Sequence, residues 1–282
     1  MNLSGKARVA GVMGWPVAHS RSPRLHGFWL REYAVDGAYV PFAVAPDQLA
    51  GALSSLRALN LAGVNLTIPH KEAAFAHVDR VSDLAAEIGA INTVTVGEDG
   101  VLHGDNTDGF GFIENIRAAA TGFDFSAGPT VVLGAGGAAR AVCVALLGAG
   151  ARDIRLLNRT QVRAETLKDR LGQSLIVEPW VGRSSALVEA HLVVNTTSLG
   201  MTGQPPLDID LDQLPTSALV NDLVYAPLET PLLASARQRG NVAVDGLGML
   251  LHQARPGFAA WFGVEPEVTD ALRAHIVSDL TD

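Results

Sequence analysis

Residues 131–141 read VVLGAGGAARA, and this stretch decides the fold. An apolar strand leads into a glycine-rich turn and then a helix, and IRLLN at residues 154–158 reads as the next strand. That order is the context that a dinucleotide-binding fingerprint requires. Gly134 permits the tight turn, Gly136 lets backbone N–H groups approach a pyrophosphate, and Ala139 lets the helix pack closely on the sheet. An ordinary glycine turn is the structural alternative, and the complete context favours the dinucleotide site.

The end of the second strand indicates which dinucleotide binds. An NAD-specific site places an acid here for the ribose 2′-hydroxyl. This chain instead reads NRTQVR at residues 158–163. Arg159 and Arg163 bring positive charge and Asn158 and Thr160 bring hydrogen bonds, where a carboxylate would repel a 2′-phosphate. The sequence therefore predicts NADP(H) as the cofactor.

Composition bounds the class of protein and its partners. The 282 residues leave room for two domains, and 48% hydrophobic content is typical of a compact α/β protein. A net charge of −8 without a basic block argues against nucleic acid and anionic membranes as partners. The first residues lack the apolar run of a signal peptide. The single cysteine, Cys143, is typical of a protein of the reducing cytoplasm, and we expect it to be an inert, buried packing residue. No histidine or carboxylate spacing resembles a metal site, and monomer and homodimer stay equally open.

Hydrophobic periodicity predicts two α/β domains in succession. The predicted strands are residues 8–14, 39–44, 63–68, 154–158, 175–180, 192–197, 218–224 and 241–246, with a hairpin at 92–106. The predicted helices are residues 23–33, 47–59, 70–78, 81–88 and 108–120, and the chain reads as helical from Gly248 onward. We expect a substrate-binding domain at residues 1–108, an NADP-binding Rossmann domain at 109–245, and C-terminal helices at 246–282 that pack on the first domain. A cleft between such domains is a usual ligand site.

Lys71 is a candidate proton donor. It is one of only three lysines (Lys6, Lys71 and Lys168), and it follows a strand and a proline in GVNLTIPHKE. A hydride-transfer enzyme that reduces a ketone must protonate the forming alkoxide, which lysine can do and arginine cannot. Asp108 in GDNTDG is the candidate partner, because a nearby carboxylate favours the ammonium form. The structural alternatives are a surface lysine for Lys71 and a helix cap for Asp108.

Ser20 and Ser22 form a candidate carboxylate receptor. They lie on alternate residues just before Pro23, where a helix is predicted to begin. Two hydroxyls beside helix N–H groups can hold a carboxylate without adding formal charge. The structural alternative is that one serine caps the helix with Pro23 in its first turn.

Nine segments in order resemble the shikimate dehydrogenase family from one end of the chain to the other. They are GWPVAHSRSPRLH, GVNLTIPHKEAA, IGAINTV, GDNTDG, VVLGAGGAARA, NRTQVRA, NTTSLGM, NDLVYAPLETPLL and GLGMLLHQA. The resemblance implies an NADPH-dependent, reversible reduction of 3-dehydroshikimate to shikimate, on the route to chorismate and the aromatic amino acids.

The resemblance also implies roles for individual residues. Lys71 and Asp108 match the family's catalytic pair. The substrate carboxylate is implied to contact Ser20, Ser22 and Tyr225, and the ring hydroxyls Thr67, Asn92, Asp108 and Gln253. Cofactor contacts are implied for Gly134, Ala135, Gly136, Gly137, Ala138, Asn158, Arg159, Thr160 and Arg163, for Leu223 and Gly246 beside the nicotinamide, and for Asp83 at the periphery.

Two rival functions stay open on the sequence. One is a quinate dehydrogenase or a broad quinate/shikimate dehydrogenase of the same superfamily, and the paired serines and basic NRTQVR loop favour shikimate and NADP over it. The other is a non-catalytic NADP(H)-binding sensor on the same scaffold, against which the intact Lys71 and Asp108 argue.

Overall fold

The computed structural model describes residues 3–278 and residue 280 and divides the chain into two compact units. The first unit holds the described residues up to Thr107 and those from Gln253 onward, and the second is Asp108–His252. The second division falls inside a helix, Leu247–Phe262, a few residues after the predicted boundary at 245/246. The functional domain boundaries of the sequence analysis stay a prediction.

The first unit is built on a mixed sheet of six strands in the order β2-β1-β3-β5-β6-β4. The strands are β1 (Arg8–Gly14), β2 (Gly37–Ala43), β3 (Gly63–Leu66), β4 (Arg80–Val81), β5 (Thr93–Val96) and β6 (Leu102–Asp105). Its helices are α1 (Ser22–Glu32), α2 (Leu49–Ala58), α3 (His70–Ala73), α4 (Asp83–Ile88) and α10 (Asp270–Val277). Strands β1, β2 and β3 are parallel, whereas β5 pairs antiparallel with both β3 and β6.

The second unit is a parallel sheet of six strands in the order β12-β11-β10-β7-β8-β9. The strands are β7 (Thr130–Leu133), β8 (Ile154–Asn158), β9 (Leu175–Pro179), β10 (Leu192–Asn195), β11 (Leu219–Asp222) and β12 (Val242–Val244). Its helices are α5 (Asp108–Ala119), α6 (Gly137–Gly148), α7 (Gln161–Leu171), α8 (Pro231–Gln238) and the start of α9 (Leu247–Phe262). Read from β9, this is the doubly wound dinucleotide-binding order, so the predicted α/β fold class is confirmed.

The two cores explain why these segments form strands and helices. Strands β7 and β10 are buried along their whole length and read as continuous apolar runs, because helices cover both faces of the parallel sheet. Cys143 is fully buried on the core face of α6, and burial raises the pKa of its thiol to about 12, which agrees with inert packing. In the first unit, Trp261 Nε1 donates to Val94 O at 3.1 Å and ties the end of α9 to β5.

Most predicted elements are confirmed, and the errors have local causes. The predicted helix over 81–88 is wrong at its first residues, because Val81 pairs with Gly104 as part of β4 and Ser82 caps α4. The helix predicted from Asp47 begins as a 3₁₀ turn, Pro46–Gln48, and the one over 70–78 continues after α3 only as a 3₁₀ turn, Ala74–Ala76. Strand β3 ends at Leu66, before the last two residues predicted for it.

Candidate active site

The glycine-rich turn lies at the point where the strand order of the second sheet reverses, between β7 and β10. Gly134 follows β7 with φ of 112°, and a Cβ there would lie 2.5 Å from Thr196 Oγ1 and 3.1 Å from Thr197 Cγ2. Thr196 and Thr197 follow β10, so the two loops are in direct contact. Only glycine satisfies both the backbone conformation and this close approach.

The start of α6 is open to a ligand. Gly136 precedes the helix and Gly137 begins it, and both are exposed. A Cβ built on Gly136 would meet no described atom within 4 Å. Ala139, one turn further on, is fully buried against the sheet. The space beside Gly136, at the start of this twelve-residue helix, is therefore open, which suits an anionic phosphate at the helix N-terminus.

The basic loop after β8 carries two arginines, Arg159 and Arg163. The guanidinium groups of Arg159 and Arg163 make no hydrogen bond or ion pair with the residues that the structure describes, and both side chains are exposed. Asn158 Nδ2 donates to Thr160 O at 2.8 Å, and Arg163 N donates to the same carbonyl at 3.0 Å. These bonds fold the loop so that the start of α7 follows β8 directly. The arrangement supports a 2′-phosphate site, which stays a prediction.

Leu223 and Gly246 meet at the carboxyl edge of the same sheet. A Cβ on Gly246 would lie 2.0 Å from Leu223 O, so no other residue fits without moving the backbone. Gly246 N donates to Val224 O at 3.2 Å. Leu223 and Tyr225 lie just after β11, and both side chains are half-buried. The structure thus brings together the two positions predicted to flank a nicotinamide.

In the first unit, Asn92 is the centre of a buried polar cluster. Its side chain is 2% exposed, its Oδ1 accepts from Thr107 N at 2.9 Å, and its Nδ2 donates to Thr107 Oγ1 at 3.1 Å. Gln253 Oε1 lies 3.5 Å from both Asn92 Nδ2 and Thr107 Oγ1. Two residues predicted to hold ring hydroxyls, Asn92 and Gln253, are therefore in contact.

Asn65 joins this cluster although the sequence analysis did not select it. Tyr39 donates from its hydroxyl to Asn65 Oδ1 at 2.6 Å. Asn65 Nδ2 then donates to Asn92 O at 3.1 Å and Thr93 Oγ1 at 3.2 Å, and Thr93 Oγ1 donates to Asn92 Oδ1 at 2.9 Å. The sequence signal that could have identified Asn65 is its position inside the apolar run GVNLTI, because a buried polar side chain needs hydrogen-bond partners.

The two serines lie at the amino end of α1. The helix starts at Ser22, with Pro23 in its first turn, and Ser20 Oγ accepts from Ser22 N at 3.3 Å. Ser20 therefore satisfies one helix N–H, but the N-cap position is Arg21 and neither serine caps the helix, so the capping alternative is wrong. Burial raises the pKa of the Tyr39 phenol, and the Ser22 hydroxyl opposes that rise.

Thr67 and Lys71 lie just after β3. Thr67 N donates to Met13 O at 3.0 Å. A Cβ on Gly14 would overlap Thr67 Cγ2, so Thr67 packs tightly on the end of β1. Lys71 is the second residue of α3 and half-buried, and its carbonyl accepts from Ile91 N at 2.8 Å. The Lys71 bond holds the start of α3 next to the segment that contains Asn92, and Leu66 N, just before Thr67, donates to Asn92 O at 2.8 Å.

The remaining predicted residues belong to separate places in the chain. Asp108 is the first residue of α5 and half-buried, so it lies inside the helix and not at the position before it. It belongs to the second unit and Lys71 to the first, and their pairing stays a prediction. Asp83 is the exposed first residue of α4 in the first unit, and its cofactor contact likewise stays a prediction.

Metal ligation and membrane insertion find no support in the described residues. Over residues 3–278 and residue 280, no group of three or more histidine, cysteine, aspartate or glutamate side chains could hold a metal ion. In the same part of the chain, the helices are all too short or too polar to span a membrane.

Comparison with known proteins assigns the family. The family model "Shikimate dehydrogenase substrate binding domain" matches residues 12–94, and "Shikimate / quinate 5-dehydrogenase" matches residues 117–201. A shikimate dehydrogenase (NADP(+)) of Rhodospirillum rubrum is 60% identical over 279 residues, covering 98% of this chain and 99% of that protein.

Solved structures agree with this assignment. The shikimate 5-dehydrogenase of Thermus thermophilus, in complex with NADP(H) and shikimate, is 37% identical with a TM-score of 0.83 and covers 97% of this chain and 98% of its own. The quinate dehydrogenase of Corynebacterium glutamicum, in complex with NAD, is 30% identical with a TM-score of 0.88, and the match covers 96% of this chain and 99% of that chain. With both halves matched and such identity across nearly its whole length, the chain belongs to the shikimate dehydrogenase family.

Proposed function

We propose that this chain is an NADP-dependent shikimate dehydrogenase that catalyses the reversible reduction of 3-dehydroshikimate to shikimate. One observation carries the proposal. A member of the shikimate dehydrogenase family presents an open, glycine-lined helix start together with two arginines that have no partner among the described residues, Arg159 and Arg163. This combination suits the pyrophosphate and the 2′-phosphate of NADP(H).

The nucleotide-binding sheet supplies the cofactor contacts. The N–H groups at Gly136 and Gly137 would hold the pyrophosphate without any charged side chain. Arg159 and Arg163 would form charge-assisted hydrogen bonds with the 2′-phosphate. Leu223 and Gly246 would contact the nicotinamide. Bound NADPH supplies the hydride that reduces the substrate ketone.

The polar cluster of the first unit would supply most of the substrate contacts, and Tyr225 and Asp108 of the second unit would supply the others. Ser20, Ser22 and Tyr225 would bind the carboxylate. Thr67, Asn92, Asp108 and Gln253 would bind the ring hydroxyls, and the buried contacts of Asn65 support adding this residue to them. The hydrogen bonds on Asn92 fix which side of its amide is oxygen, so it presents one defined pattern of donor and acceptor to a ligand.

Lys71 would complete the reaction by moving a proton. As the carbonyl carbon is reduced, negative charge develops on its oxygen, and the Lys71 ammonium would donate the proton that makes the product hydroxyl. Asp108 would favour the ammonium form and orient it. In oxidation the neutral amine would accept the proton from the same hydroxyl.

A turnover assay with the purified chain tests the function and its rivals. We expect oxidation of shikimate with NADP⁺, followed by nicotinamide absorbance, and a kcat/KM roughly tenfold or more lower when quinate replaces shikimate or NAD⁺ replaces NADP⁺. Preferred turnover of quinate with NAD⁺ would favour the quinate dehydrogenase, and cofactor binding without any turnover would favour the sensor.

The place of action and the assembly state belong to the same proposal. We place the enzyme in the cytoplasm, where its single cysteine would stay reduced. Light scattering at the assay concentration decides between a monomer and a homodimer.

A further inference from the structure

Asp222 is a buried acid outside the set of residues assigned above. It ends β11, its side chain is 0% exposed, and it makes no ion pair with the described part of the chain. Burial raises the pKa of its carboxyl, and hydrogen bonds from its neighbours oppose that rise. An acid held in this way is costly to the fold unless its oxygens do something that an apolar side chain cannot.

Neutral donors satisfy both carboxyl oxygens. Asn195 Nδ2 donates to Oδ1 at 2.9 Å, and Val224 N donates to the same oxygen at 3.0 Å. Thr230 Oγ1 donates to Oδ2 at 2.7 Å. One side chain therefore accepts from three different segments of the second unit.

These segments lie beside the candidate cofactor site. Asn195 ends β10, immediately before Thr196 and Thr197, which contact the glycine-rich turn. Thr230 caps α8 through a bond from Leu233 N at 3.3 Å. Val224 lies in the stretch between them, residues 223–225, which belongs to no helix or strand.

Backbone hydrogen bonds hold the first two residues of the stretch 223–225 in place. Leu223 N donates to Asn195 O at 3.0 Å, and Val224 O accepts from Gly246 N at 3.2 Å. The hydrogen bond from Val224 N to Asp222 Oδ1 also holds the backbone next to Tyr225. Because Asp222 also holds Asn195 and Thr230, it fixes both sides of this stretch at once.

We propose that Asp222 is a positioning residue that sets the placement of Tyr225 on the substrate and of Leu223 on the nicotinamide. This inference rests on the function proposed above for those two residues. Asp222 touches neither ligand itself, and it acts by holding the backbone from which both side chains extend.

A conservative variant separates this role from simple filling of space. In Asp222→Asn, the amide oxygen still accepts from Asn195 and Val224, and the amide nitrogen can donate to Thr230 Oγ1, which rotates its own proton away. In Asp222→Ala all three bonds are removed. We expect Asp222→Asn to keep the shikimate KM within roughly threefold of wild type, and Asp222→Ala to raise it roughly tenfold or more.

A double-mutant cycle with Tyr225→Phe supplies the test. Tyr225→Phe alone should raise the shikimate KM about tenfold, and in the Asp222→Ala background it should add less than about threefold, because the phenol is already misplaced. Ser22→Ala, a substitution in the other unit, is the control, and its effect should multiply with that of Asp222→Ala. Leu232→Ala, which removes a buried side chain from α8, controls for reduced stability and should leave the KM values for shikimate and NADP⁺ unchanged.

Full multiplication of the Asp222→Ala and Tyr225→Phe effects would overturn the inference. If Asp222→Ala does not fold, Thr230→Val replaces it in the cycle, since it removes the donor to Oδ2 and leaves the carboxylate in place. An unchanged shikimate KM in Tyr225→Phe alone would also overturn it, while the proposed function would stand as long as wild type oxidises shikimate. Absence of shikimate turnover in wild type would instead overturn the function.

Discussion

Removal of the Tyr39 hydroxyl tests whether the polar cluster of the first unit is a single connected network. Tyr39 is buried, its hydroxyl donates to Asn65 Oδ1 at 2.6 Å, and its ring stacks on His26 with centroids 3.9 Å apart and planes at 8°. Burial lowers the pKa of His26 to about 3, so the imidazole is neutral and contacts the phenol ring by stacking. In Tyr39→Phe the ring stays in place and only the donor is removed.

The magnitude follows from the burial of both partners. Asn65 Oδ1 would be left without its donor in a site closed to water, which costs roughly 1–3 kcal/mol of unfolding free energy. For a chain of this size that corresponds to a Tm lower by roughly 2–12 °C. The Asn65 amide would then be free to turn, and with it the orientation of Thr93 and Asn92.

Calorimetry and steady-state kinetics check both consequences. We expect Tyr39→Phe to lower Tm and raise the shikimate KM, while the KM for NADP⁺ stays unchanged. Tyr33→Phe is the matched control, since its hydroxyl accepts from Glu267 N at 3.0 Å on the surface and water can replace it. A Tyr39→Phe enzyme with the Tm and shikimate KM of wild type would refute the network.

Three further predictions concern the second unit. Replacing Arg159 and Arg163 with uncharged residues should raise the NADP⁺ KM roughly ten- to a hundredfold for each phosphate hydrogen bond removed, and should change the NAD⁺ KM much less. Equal effects on both cofactors would place the 2′-phosphate elsewhere. Gly246→Ala would put a methyl group 2.0 Å from Leu223 O. It should lower the unfolding free energy measured with urea by roughly 1–3 kcal/mol and raise the NADP⁺ KM. Unchanged values of both would contradict the close approach. Burial raises the folded-state pKa of Asp222, so protonation of this carboxyl stabilises the folded form. This stabilisation is full below the unfolded-state pKa and is lost as pH rises through the folded-state pKa, so the unfolding free energy of wild type relative to Asp222→Asn should fall over that range. A difference that does not change with pH would contradict the raised pKa.

The sequence predicted the second unit well because its signals are local. A strand, a glycine turn and a helix within residues 131–141 predict the fold of this region and a phosphate site at the helix start. The order of apolar runs limits the possible strand orders once crossovers are right-handed. Ser20, Ser22 and Lys71 were also selected from local context, since each lies where a strand or loop meets a helix.

Asn65, Tyr39 and Asp222 were missed because their partners are distant in sequence. Tyr39 on β2 and Asn65 on β3 both pair with β1, opposite Ala10 and Val12, and only the register of three strands brings their side chains together. Asp222 sits in the apolar run ALVNDLV, where nothing shows that β10 and the cap of α8 will each supply a donor. Such contacts depend on strand register and order, which periodicity does not specify.

The most direct test of the proposed chemistry compares Lys71→Arg with Lys71→Ala. Both variants should keep the Tm and the NADPH affinity of wild type. Lys71→Ala should lose roughly two to four orders of magnitude in kcat, and Lys71→Arg should be nearly as inactive, since arginine keeps the charge and cannot give up its proton at neutral pH. A Lys71→Arg enzyme with near wild-type kcat would contradict the account, because the lysine would then contribute only positive charge and the proton would have to come from another group.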